Sequence, residues 1–397
     1  MRIIAVQTGL EPDSVLGGCI TDREFLTRLA DRRVEVHLLV ENGRPVIDHQ
    51  NIFVHYWKRY SPKKLYYISN IDIAIGLRQL SRELGHVDWV RFNHPVVNGI
   101  GTALASNGHR IWASYLHCED YVFWRMVDRY LPARCDMITC LSEDTRRDVV
   151  ARCPQSDHER NVVLPVGIDF DRIDRVARSR ADIRAELGVS DSDVLILYVG
   201  VLIPRKGIKD LVATWRLLPR DPSIRLLLIA QPVTPVESAL VEELTRIDPR
   251  VKHLKRVPYE HIADYFRASD IFFFPTHREG FGIVVGEAMA TSLPVVTTRA
   301  RGVRTVVCED ETALLADVGD CGRLAAHLER LIRDRDLREG LGIAGRERVH
   351  RHFRWEVIIE KLVKLLQGNE SNHSSIDARR LWVPRARAST PAASMRS

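Results

Sequence analysis

The stretch Ile271–Val296, IFFFPTHREGFGIVVGEAMATSLPVV, decides the reading of this chain. Its apolar run Ile271–Phe274, closed by Pro275, reads as a buried strand. Gly280-Phe281-Gly282 then makes a turn, and the segment from about Ile283 to Ala290 is compatible with a helix. A strand feeding a glycine turn that opens a helix is a place to hold a phosphorylated ligand. The helix N-terminus presents unpaired N–H groups and partial positive charge, and glycine lets the backbone come close. Glu279 and Glu287 lie eight positions apart around this turn, a little over two helical turns. Glu279 is expected at the mouth of the site and Glu287 on the helix flank, each accepting from a different hydroxyl of one bound molecule. That pattern suits a nucleotide-sugar.

Working outward, short β-branched runs alternate with helix-length amphipathic stretches. Val34–Val40, Trp89–Phe92, Ile111–Tyr115, Met137–Cys140 and Asn161–Pro165 read as strands in the first half, and Val194–Val199, Ile224–Ala230, Ile271–Phe274 and Pro294–Thr298 in the second. Strands alternating with helices imply parallel sheets and a doubly wound α/β class. The pattern restarts after Asp169, where Asp171–Leu187 is charged and helical, so the linker is expected near 168–192. Glu347–Gln367 has apolar residues at helical spacing, and residues 368–397 have the polar, Arg- and Pro-rich composition of a disordered tail.

The 397 residues suffice for two cores, and 45% hydrophobic with 28% charged residues is a globular composition. No apolar run reaches the ~18–20 residues that span a bilayer. Met1–Val6 reads as a first strand and lacks the apolar core and cleavage site of a signal peptide. Seven scattered cysteines without a C-x-x-C pair argue for a reducing, cytoplasmic setting and against a structural zinc site. The net charge of +6 is not a nucleic-acid signature. Acidic and basic groups balance over 1–175, and about half of the excess sits in 368–397, so no basic domain face is implied.

The opening stretch resembles the E-x7-E signature of retaining glycosyltransferases of the GT-B fold, family 4 type. It carries Pro275, both glutamates, Gly280-Phe281-Gly282, Glu287-Ala288-Met289-Ala290 and Pro294-Val295-Val296, with Thr276 for the usual Ser and Ser292 for the usual Gly. Gly200–Gly207, GVLIPRKG, resembles the family loop whose Arg and Lys hold the donor diphosphate. Lys206 and Gly207 match, Val201 replaces the arginine, and Arg205 is the substitute. A lysine there supplies a point charge to phosphate oxygens.

The resemblance implies two Rossmann-like domains facing a cleft: 1–175 on the acceptor side, 176–352 on the donor side, and 353–367 as a helix crossing back. It implies sugar transfer from a UDP- or GDP-sugar to a hydroxyl of a glycan, glycolipid or polysaccharide. Glu279 with the amides around Phe281, Gly282 and Ile283 would hold the sugar, and Glu287 the ribose. Gly17-Gly18, in a polar loop before a helix capped by Asp22, resembles the loop approaching donor and acceptor. His117 would orient the sugar or the reacting hydroxyl, with His94 the competing histidine. No metal or cofactor is implied; the Asp-x-Asp pairs at Asp169/Asp171 and Asp191/Asp193 are at chance frequency in so charged a chain.

Where the family has an acidic G-G-x-P-E segment, this chain has Arg301-Gly302-Val303-Arg304-Thr305. The two arginines either serve phosphate or line a solvated loop. The losses at Val201 and Thr305 leave a non-catalytic scaffold of the same fold as an alternative, beside a sugar phosphorylase or sugar-nucleotide epimerase. Tyr56–Tyr67 interleaves aromatic and basic residues, including Lys63 and Lys64, and suits a lipid-linked or polysaccharide acceptor or peripheral contact with an anionic membrane on its inner face.

Overall fold

A computed structural model describes residues 1–7, 17–41, 47–60, 69–106, 108–116, 121–156 and 158–368, without the side chains of 17–19 and 158. His117, Lys63, Lys64 and the 369–397 segment lie outside the described residues.

Apolar runs such as Leu195–Tyr198 and Ile271–Phe274 are buried throughout, because a parallel sheet is covered on both faces. The first sheet contains β1 (Arg2–Val6), β2 (Glu35–Glu41), β3 (Ile52–Trp57), β4 (Trp89–Phe92), β5 (Arg110–Tyr115), β6 (Met137–Cys140) and β7 (Asn161–Val163). The second contains β8 (Val194–Leu202), β9 (Ile224–Pro232), β10 (Val251–Leu254), β11 (Ile271–Phe274), β12 (Val295–Thr298) and β13 (Ala313–Ala316). Their orders are β3-β2-β1-β4-β5-β6-β7 and β10-β9-β8-β11-β12-β13, with every pairing parallel. Each order reverses at one point, between β1 and β4 and between β8 and β11, and a crevice for ligands opens there beyond the strand ends. Two such domains across a cleft form the GT-B architecture that the resemblance implied.

Four local readings are corrected. The helix after β1 is Gly17–Asp31, so Gly17 and Gly18 are in its first turn and Asp22 is well inside it. Asp22 does not cap: it is buried and accepts hydrogen bonds from buried Arg91 and from Asn93, a tertiary demand that outweighs its local preference for a helix start. Asp171–Leu187 splits into Phe170–Asp174 and Arg180–Glu186, because Ser179 caps the second helix through the Asp182 amide. The last amphipathic stretch also breaks. One helix ends at His352 and Trp355–Gln367 begins anew, which frees Phe353 to pack on Phe281. Strands β3, β10 and β13 were not expected. All three stand at sheet edges, β3 and β10 with half-exposed residues and β13 as a buried run of four.

The helix Trp355–Gln367 packs on the first domain. The Trp89 indole donates to the Leu366 carbonyl (3.1 Å), and Trp355 meets Phe25 edge to face with centroids 4.9 Å apart. The crossing segment runs beside it, where the Ile168 amide donates to the Phe353 carbonyl (2.6 Å). Gly167 is required there, since a Cβ would come within 2.2 Å of the Trp355 ring. Arg301 and Arg304, each about half exposed, reach across to the first domain. They pair with Asp148 (2.5 Å) and Asp144 (2.9 Å) on the first domain's helix Glu143–Arg152, while the Gly302 amide donates to Asp144 (3.0 Å).

Gly167→Ala is expected to destabilise the protein by roughly 1–3 kcal/mol through overpacking. Part of the loss should return in Gly167→Ala/Trp355→Leu. Urea midpoints of the two variants check this, and equal midpoints would contradict the proposed clash.

Candidate functional site

The site assembles where β8 and β11 lie side by side at the switch point, so the loops after them meet although 73 residues separate Lys206 from Glu279. A short turn, Pro204–Lys206, follows β8 and ends at Gly207, whose φ of +71° favours glycine. A Cβ at 207 would lie 1.7 Å from the Pro275 carbonyl oxygen. Only a glycine lets the two loops touch, and they then bond: the Arg205 carbonyl accepts from the His277 amide (2.8 Å) and the Thr276 hydroxyl (3.0 Å).

This contact brings the Lys206 ammonium to Glu279 Oε1 at 2.7 Å, with the Thr276 hydroxyl on the same oxygen at 2.9 Å and Arg205 at 3.6 Å from Oε2. Both partners of the close pair are largely shielded, at 13% and 8% exposure. Burial pulls the lysine below the ordinary ammonium range, against the opposing pull of Glu279. The Glu279 amide is held by the Arg301 carbonyl (3.0 Å), so the clasp between the domains supports this loop directly.

Beyond Glu279, Gly280 passes under the first domain, with Leu116 O 2.6 Å from where its Cβ would be. Phe281 is almost fully buried, and its ring anchors the turn on Phe353 with centroids 5.4 Å apart. Gly282, at φ +92°, opens the helix Ile283–Ala290. That helix carries Glu287, also buried, whose Oε1 accepts from the Tyr259 hydroxyl (2.9 Å) and from Arg172. The Arg172 guanidinium lies over the Tyr259 ring, 3.9 Å from its centroid. Burial, followed by the charge of Glu287, pushes the tyrosine well above its usual range.

A cleft of about 430 Å³ joins these parts. Its walls include Arg205, Lys206, Gly280, Phe281, Gly282, Ile283 and both glutamates, with Gln231, Lys255, Val257 and Tyr259 from the second domain and Thr21, Leu116 and Leu141 from the first. The structure thus gathers eight sequence-expected residues. His94 is used locally, accepting from the Val97 amide (3.1 Å) and packing at a tilt against the Trp124 ring. Asp169 caps the helix Phe170–Asp174, and Asp193 accepts from the Ser190 amide. Arg172 and Tyr259 were missed. Each sits in a segment without a motif, and only the folded chain brings them to Glu287.

A group of two cationic residues beside one carboxylate, and a second carboxylate one helix turn into the wall, can divide a ligand between charge and hydroxyl recognition. Residues 179–348 match the family described as glycosyl transferases group 1, and residues 23–172 match glycosyltransferase family 4. The chain is similar to the D-inositol 3-phosphate glycosyltransferase of Corynebacterium diphtheriae, 30% identical over 70% of this chain and 67% of that one. It is also similar to the GDP-mannose-dependent monoacylated alpha-(1-6)-phosphatidylinositol monomannoside mannosyltransferase of Corynebacterium glutamicum, 29% identical over 72% and 77%. Against several other curated relatives the match spans only about half of their length. The solved structure of HepE from Anabaena, in complex with UDP and glucose, shares the fold at a TM-score of 0.74, with 19% identity over 93% of this chain and 100% of that one.

Arg172→Ala leaves Glu287 buried without its cation and is expected to cost about 3–5 kcal/mol. Tyr259→Phe, which removes one hydrogen bond, should cost about 1 kcal/mol. A double-mutant cycle of Arg172→Ala with Glu287→Gln, read by denaturant unfolding, should show coupling above about 1 kcal/mol. Strict additivity would contradict the pairing.

Proposed function

The chain belongs to the group 1 glycosyltransferases of the family 4 type, enzymes that use nucleotide-sugars, and from that premise we propose which donor chemistry its cleft performs. The reaction is transfer of a sugar from a UDP- or GDP-sugar, with retention at the anomeric carbon, to a hydroxyl of a glycan, glycolipid or polysaccharide. The observation that carries this reading is the Lys206–Glu279 pair at the mouth of the glycine turn.

In this account Lys206, aided by Arg205, faces the diphosphate, whose negative charge grows as the bond to the sugar breaks. A cation preplaced in a shielded cleft stabilises that charge far more than one in water. Glu279 accepts from the sugar hydroxyls, and Glu287, already oriented by Arg172 and Tyr259, accepts from the ribose. No side chain is assigned as nucleophile. The acceptor hydroxyl attacks from the face that the diphosphate leaves, and a leaving phosphate oxygen takes its proton, so the configuration is kept. The acceptor enters from the first domain's side, past Thr21 and Leu116.

A thermal-shift screen against UDP-, GDP- and ADP-sugars tests the donor assignment. At a hundredfold excess over Kd, binding should add about 2.7 kcal/mol of stability. Stabilisation is expected with at least one sugar nucleotide and should vanish in Lys206→Ala. An unchanged shift in that variant would remove the diphosphate assignment, and an inverted anomer in the product would remove retention.

A further inference from the structure

Five residues after the cleft residue Leu116, the sequence reads YVFWRMVDRYLPAR over Tyr121–Arg134, and the chain forms the short helix Val122–Asp128. One face of this segment is accounted for by packing. Trp124 packs at a tilt against His94 with centroids 4.4 Å apart, Leu131 is buried, and Val127 packs against the core of β5 and β6. Asp128 is fully buried and accepts from the Tyr115 hydroxyl (3.2 Å) and from Arg152 (2.9 Å).

The other face inverts the usual pattern. Tyr121, Val122, Met126 and Tyr130 are 60–77% exposed and Phe123 is 43% exposed. Arg125, Arg129 and Arg134 are exposed among them. Asp128 is the only acidic residue between 121 and 135, and it points inward to Arg152, so the segment itself exposes apolar groups and arginines; Asp136, exposed just beyond it, accepts from the Ile111 amide (2.8 Å). Single exposed apolar residues need no explanation, but five within ten positions form a patch.

We propose that this surface is where the protein lies on an anionic bilayer, with the helix parallel to the membrane plane. The composition fits that solvent boundary: aliphatic side chains enter the acyl edge, tyrosine rings keep their hydroxyls at the headgroups, and arginines reach the phosphates. The charge argues against two other occupants. A second copy on the same patch would set Arg125, Arg129 and Arg134 against their own equivalents, a like-charge contact. The chain's own 368–397 segment is itself basic, with arginines at 379, 380, 385, 387 and 396.

The patch belongs to the first domain, the half of the protein that carries Thr21, Leu116 and Leu141 of the cleft wall. Docking through it holds this acceptor-side half at the lipid. On the transfer reading above, on which this step rests, the acceptor is a membrane-anchored molecule whose hydroxyl reaches the cleft without leaving the bilayer.

Flotation of the full chain with vesicles tests the patch. The wild-type chain should float with vesicles of equal parts phosphatidylcholine and phosphatidylglycerol, and much less with phosphatidylcholine alone. Each arginine near an anionic surface is worth roughly fivefold in affinity, so Arg125→Ser/Arg129→Ser should weaken binding by about 25-fold, and added salt should weaken the wild type. Val122→Ser/Met126→Ser, which changes only exposed positions, should also reduce binding. Both variants should keep the wild-type thermal shift with a nucleotide-sugar, so loss of flotation with that shift intact separates the patch from the donor site. The proposal is overturned if the wild type does not float, if both variants float as well as it does, or if only Lys63→Ser/Lys64→Ser abolishes flotation. It is equally overturned if the helix variants change the oligomeric mass in sedimentation without altering flotation, which would assign the patch to a protein contact.

Discussion

A lysine ammonium and a carboxylate, both largely shielded from water, are held 2.7 Å apart at the point where the order of the second sheet reverses. Placing two charges in such a site has a desolvation cost, and the pair is stable only if its geometry is maintained. Much of the surrounding structure maintains it. Gly207 admits the Pro275 carbonyl, the Arg205 carbonyl fastens Thr276 and His277, and the Arg301 carbonyl holds the Glu279 amide. Removing either charge leaves the other buried, so neither residue can be replaced as a surface group could. The pair lies beside a cleft of about 430 Å³, large enough for a ligand to share these charges.

The same loops connect the site to the relation between the domains. Arg301, whose backbone supports Glu279, reaches Asp148 on the first domain with its side chain, and Arg304 reaches Asp144. At the other glutamate, Arg172 leaves the crossing segment to meet Glu287, and the same segment passes Trp355 at Gly167. Each carboxylate of the E-x7-E pair is therefore tied to a contact that also spans, or follows directly from, the domain crossing. A change in the angle between the domains would be felt at both glutamates, one through Arg301 and one through Arg172.

How much of this was legible depended on whether the cause was local. The strand Ile271–Phe274 and the helix Ile283–Ala290 were read with their bounds, because an apolar run, a proline and a glycine turn act within a few residues. Lys206 and Glu279 were legible from their motifs, and the sheet order explains why they meet. Asp22 was misread as a cap because its partner, Arg91, lies 69 residues away. Arg301 and Arg304 looked unattached because Asp144 and Asp148 are more than 150 positions earlier. Arg172 and Tyr259 carry no spacing signal at all, and the patch on Val122–Asp128 emerges only when burial separates its two faces. His117 lies outside the described residues, so its role rests on the resemblance alone.

The central claim is a division of labour, with Lys206 serving the diphosphate and Glu279 the sugar. Calorimetric titration of UDP and GDP, which lack the sugar, into Glu279→Gln tests it most directly. Freed from its carboxylate, Lys206 should bind the nucleoside diphosphate as tightly as in the wild type or more tightly, whereas Lys206→Ala should lose about tenfold or more, the worth of one charge-assisted contact. If Glu279→Gln weakens nucleoside diphosphate binding as much as Lys206→Ala does, the two residues act on the same part of the donor and the account is wrong.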